Sequence, residues 1–80
     1  MALTPKEKEW ADKMRRFLKA ELKRAGVTYA DLARRLNEHG LKGETEASVN
    51  SKLVRGTFSA TFLLACLAVL GITVLAVADL

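Results

Sequence analysis

Ala47, Ser48, Ser51, Lys52 and Arg55 follow one another at steps of one, three, one and three. On a helix these residues share one arc, opposite Val49 and Leu53, which lie one turn apart. Short and hydroxyl side chains occupy the first half of the arc, and long basic ones the second. That pattern suits a helix laid in the major groove of DNA. Small residues let base edges come close, hydroxyls hydrogen-bond them, and Ala47 can pack on a thymine methyl. Lys52 and Arg55 can meet phosphates, although Arg55 could equally cap the C-terminus of its own helix. Other chemistry has little support. The chain holds one Cys (Cys66) and one His (His39). Neither a disulfide framework nor a metal cluster is expected. No nucleophile–base pair or glycine-rich phosphate loop is legible, so no enzymatic activity and no cofactor are expected.

These residues need a scaffold, and 80 residues allow one small domain. Thr4-Pro5-Lys6-Glu7 is a strong helix start: Thr caps, Pro fits the first position, and Glu completes a capping box. Trp10, Met14, Phe17, Leu18, Leu22 and Ala25 then trace an inward face, and Gly26 stops the helix. Helix pairs Glu9–Lys13 and Asp12–Arg16 are expected on the outer face. Thr28 starts a second helix, with Leu32, Ala33 and Leu36 inward and Arg34 and Arg35 outward. His39, just before Gly40, is expected to face the negative end of that helix. Thr45 caps the third helix, which Gly56 ends. Ser59 caps a fourth, with Phe62, Leu63, Cys66, Leu67 and Leu70 inward. Cys66 reads as an inert small hydrophobe. The expected fold is all-α, with helices at about 5–25, 29–39, 46–55 and 60–70. A short apolar segment, 72–78, follows as an extended strand or a final turn capped by Thr73.

This succession resembles the lambda-repressor-like (Cro/repressor type) helix-turn-helix superfamily. The resemblance lies in LKAELKRAGVTYADLARRL (18–36), in SVNSKLVRG (48–56) and in TFLLACLAVLGI (61–72). It implies a four-helix repressor-type domain whose third helix reads DNA. It also implies that Thr28 and Tyr29, and Thr57 and Ser59, hold the DNA backbone on either side. Arg34, Arg35 and Lys42 would extend the phosphate footprint, and Thr45 would stand at the start of the reading helix. The pattern departs from the superfamily at 40–44, where several residues replace a tight turn. The string GETEASVNSKLVRGTFSATFLLACL also resembles a small bacterial family known as a domain of unknown function.

Charge is segregated along the chain. Thirteen basic side chains face nine acidic ones, for a net +4. Residues 1–25 carry eight basic and four acidic side chains, while 26–56 carry five and four. The stripe on the first helix reads as a solvated face. From Gly56 onward Asp79 is the sole charge. Ser59 to Ala78 is twenty uncharged residues, long enough to span a bilayer. Gly71, the threonines and the alanines argue instead for a core helix and an apolar end. The N-terminus has no apolar core of a secretory signal. A cytoplasmic regulator is therefore expected, partnered by double-stranded DNA. Leu64, Val69, Val74, Leu75 and Val77 are expected to form a homodimer patch. Two alternatives remain: the same fold as a protein-interaction module, and a membrane-anchored regulator.

Overall fold

Thr4, Thr28, Thr45 and Ser59 each accept a 3.1 Å hydrogen bond from the backbone N–H three residues ahead. Each cap satisfies an N–H that has no partner within the helix, and so fixes where a helix begins. The computed structural model describes residues 3–80. It contains α1 (Pro5–Ala25), α2 (Tyr29–Glu38), α3 (Glu46–Arg55) and α4 (Ala60–Val69), then a single 3-10 turn (Val77–Asp79). Among the described residues there is no strand. The expected all-α class and all four helix starts agree with this structure; α2 and α4 end one residue earlier than expected. The Glu7 carboxylate accepts from the Thr4 N–H, completing the expected capping box.

The core draws on all four helices. Leu18, Leu22, Leu32, Leu36, Val49, Leu53, Phe62 and Cys66 are almost completely buried. Each large apolar side chain among them contributes about 1.5–3 kcal/mol relative to exposure. Phe58 packs edge-on to Phe62, with ring centroids 5.1 Å apart. Trp10 corrects one expectation: it is 51% exposed, and Ala11 takes its place in the core. The buried stripe of α1 runs through Ala11, Leu18 and Leu22, and Trp10 lies about a quarter-turn from it. Ala25 is exposed as well, at the last position of α1.

Gly56 does more than end α3. Its φ is +69°, and a Cβ built there would sit 2.3 Å from the Ala11 carbonyl oxygen. Only glycine lets the backbone that leaves α3 pass so close to α1. The chain then turns into α4, and the two helices are bent by 114°. No single helix among the described residues is long and apolar enough to cross a membrane; α3 and α4 pass such a test only as that bent pair. The expected uncharged span breaks at Gly71, and α4 at 10 residues covers about 15 Å against a hydrocarbon core of about 30 Å.

The apolar end is neither strand nor Thr73-capped turn. Ile72 to Ala76 runs without regular structure, and the 3-10 turn starts after Ala76 with no side-chain cap. This segment lies along α1, where Val74, Leu75 and Leu80 face Phe17 across a groove.

Candidate nucleic-acid interface

Capping and packing decide which side of α3 reaches solvent. Val49 and Leu53 are fully buried, as their spacing predicts. Ala47, Asn50, Ser51, Val54 and Arg55 are exposed, and Thr57 continues the same exposed stretch past Gly56. The side chains of Asn50, Ser51, Arg55 and Thr57 make no hydrogen bond or ion pair with the described residues. Asn50 and Val54 were missed by the sequence spacing. It centres the outer arc directly opposite Val49 and Leu53, whereas the real arc is rotated toward Asn50.

The cause of that rotation is Glu44. It sits just before the N-cap and folds back over the opposite flank of α3. Its Oε1 accepts from the Ser48 hydroxyl at 2.7 Å and its Oε2 accepts from Lys52 Nζ at 2.6 Å. Lys52 Nζ also lies 4.7 Å from the centre of the Phe62 ring. Ser48 and Lys52 are thus half-buried and committed to the fold. The Ser48 hydroxyl also accepts from the Thr45 N–H, closing a capping box. Burial pushes the Glu44 carboxyl up, but the hydrogen bonds from Lys52 and Ser48 and the Lys52 charge outweigh it, so it titrates below its ordinary value.

The other expected phosphate-binding cations are also engaged. Arg34 bridges Asp31 and, at 2.7 Å, Glu38; Arg35 reaches Asp31 at 3.2 Å. The Arg34 hydrogen bond leads the effects that hold the Asp31 carboxyl below its ordinary value. Lys42 donates to the Asn37 carbonyl at 3.1 Å. Thr28, Thr45 and Ser59 have their hydroxyls in N-caps, and Tyr29 is half-buried against the core. Arg55 does not cap α3; the Gly56 N–H satisfies the Lys52 carbonyl there. Arg55 is therefore the one cation of α2 and α3 without a partner among the described residues.

Asn37 organises the seven-residue connection between α2 and α3, another feature the spacing did not reveal. Its Nδ2 donates to the Ala33 and Glu44 carbonyls at 2.7 and 2.8 Å, and its Oδ1 accepts from the Gly43 N–H at 3.0 Å. This clamp holds Glu44 where it can meet Ser48 and Lys52. His39 Nδ1 lies 2.8 Å from the Arg35 carbonyl, at the helix end where it was expected. On α1 the ion pairs differ from those expected. Glu9 pairs with Lys6 and Asp12 with Arg15, each three residues apart. Arg16 instead donates to the Asp12 carbonyl.

A family model described as a domain of unknown function (DUF6471) matches residues 10–75. The chain belongs to this family. The DUF6471 match includes the Asn37 clamp, Glu44 and the whole of α2, α3 and α4, so the candidate interface lies inside it. No curated protein and no solved structure matches the chain.

Proposed function

We propose that this chain is a DNA-binding module of the repressor helix-turn-helix kind, presenting α3 to the major groove and acting as a homodimer. The observation that carries the reading is the free face of α3. Ala47, Asn50 and Ser51 are short or hydrogen-bonding and Arg55 is unpaired, while Ser48, Val49, Lys52 and Leu53 are bound into the fold. An Asn amide can pair with both N6–H and N7 on the major-groove edge of adenine, and Ala and Val can contact a thymine methyl. A single helix reads few base pairs, so two copies are needed on half-sites about 34 Å apart. Selection of bound sequences from a random double-stranded library tests this. Enrichment of an inverted repeat supports the proposal; no enrichment over the input pool refutes it.

One observation favours a second reading, a protein-interaction module. Glu44, Asp31 and Glu38 neutralise most of the positive charge around α3. The remaining face is nearly neutral and includes Val54, which is 60% exposed. Such a face also suits a protein partner. The two readings differ in salt dependence, because only phosphate contacts release condensed counterions.

A further inference from the structure

The C-terminal segment crosses α1 without sealing against it. Between them lies a groove of about 630 Å³, bordered by Lys13, Arg16, Phe17 and Arg24 on one side and Leu75 and Leu80 on the other. A second hollow of about 440 Å³ adjoins it, sharing Phe17, Glu21, Arg24 and Val74. The larger one falls within the usual range of small-molecule sites, about 300–1,000 Å³. From Lys13 to Arg24 it follows α1 for roughly 16 Å at 1.5 Å per residue.

Its charges are arranged unequally. At one end Arg24 pairs with Glu21 at 2.5 Å, and the two cancel. At the other end Lys13 and Arg16 have no carboxylate partner among the described residues. Arg16 spends only its Nε, on the Asp12 carbonyl, and Lys13 Nζ rests 4.7 Å from the Trp10 ring centre. Between the ends run Phe17, Leu75 and Leu80. Two cations joined to an apolar trough fit a ligand with one anionic head and a hydrocarbon body.

We propose that this groove binds an anionic amphiphile, in its simplest form a medium-chain carboxylate. The carboxylate takes the two terminal NH2 groups of the Arg16 guanidinium and the Lys13 ammonium, and the chain lies along Phe17, Leu75 and Leu80. None of these residues belongs to α3, although Val74 and Leu75, which line the groove, are also among those expected at the dimer contact.

Calorimetric titration of the full chain with octanoate, octanol and acetate tests the assignment. Saturable one-to-one binding of octanoate is expected, with octanol and acetate at least about tenfold weaker. Trp10, the only tryptophan, should change its fluorescence as octanoate draws Lys13 from its ring. Arg16→Glu reverses the anchoring charge, and Ala20→Phe fills the trough from an exposed position on α1. Both should weaken octanoate at least about tenfold while the helical circular dichroism stays unchanged. Equal binding of octanol, unchanged affinity in both variants, or no saturable heat would overturn the proposal. So would a loss of self-association in Ala20→Phe without octanoate binding to the parent chain, which gives the groove to a second copy.

Discussion

Glu44 is 11% exposed, and both of its carboxylate oxygens are bound. A carboxylate so placed depends on its partners, because losing one leaves a half-buried charge uncompensated. The folded state holds this group below its ordinary titration range. Its contribution to stability is therefore complete above that range and is lost as pH falls through the depressed value. Thermal midpoints measured downward from about pH 6 should fall more steeply in the parent chain than in Glu44→Gln. Equal slopes would deny Glu44 that role. Cys66 is fully buried, and burial pushes its thiol up to about 12. A thiol reagent at neutral pH should label it only as fast as the chain unfolds. Labelling within seconds in native buffer would contradict that placement. Both sites mark the limit of spacing arguments. That Cys66 is inward follows from its position between Phe62 and Leu70. That Ser48 and Lys52 turn aside does not, because it depends on Glu44 arriving from a loop whose course is set by Asn37.

At the scale of elements, the helices were legible because their punctuation is local. A Thr or Ser cap and a following glycine mark each start and stop within a few residues. The packing angle was not, because it rests on an approach between residues far apart in the chain. Gly56 and Gly26 show the difference. Both have φ near +70°, but no atom lies within 4 Å of a Cβ built on Gly26, whereas one on Gly56 strikes the Ala11 backbone. Gly26→Ala should cost about 1–2 kcal/mol, the ordinary price of the left-handed conformation. Gly56→Ala should cost about 3 kcal/mol or more, since α1 and α3 must also move apart. Urea denaturation of the two variants compares them directly; equal losses would show that the close approach does not hold the helices in place. Trp10 belongs here too. It fits the apolar series of α1, but the core follows the narrower stripe of Ala11, Leu18 and Leu22 that packs against α3.

At the scale of the whole molecule, the positive charge lies mainly on α1 while the free polar face lies on α3. With the α2 and α3 cations largely paired internally, the free face of α3 as proposed to meet DNA can neutralise roughly one or two phosphates per protomer. Binding to random DNA should be weak and only moderately salt-dependent. Specific binding, as proposed, then requires two copies. Of the residues expected at a dimer contact, Leu64, Val74 and Val77 are 67%, 81% and 63% exposed, while Val69 and Leu75 are half-buried. Leu64→Lys should shift sedimentation toward the monomer without loss of helix; an unchanged mass distribution would remove Leu64 from the interface. The free face of α3 is proposed to meet DNA. Its most direct test is the affinity for the selected duplex at salt from about 50 to about 200 mM, for the parent chain and for Arg55→Ala. Affinity should fall with salt in the parent chain, and the log–log slope should be shallower by about one per protomer in the variant. An affinity indifferent to salt, or a slope unchanged by Arg55→Ala, would contradict it.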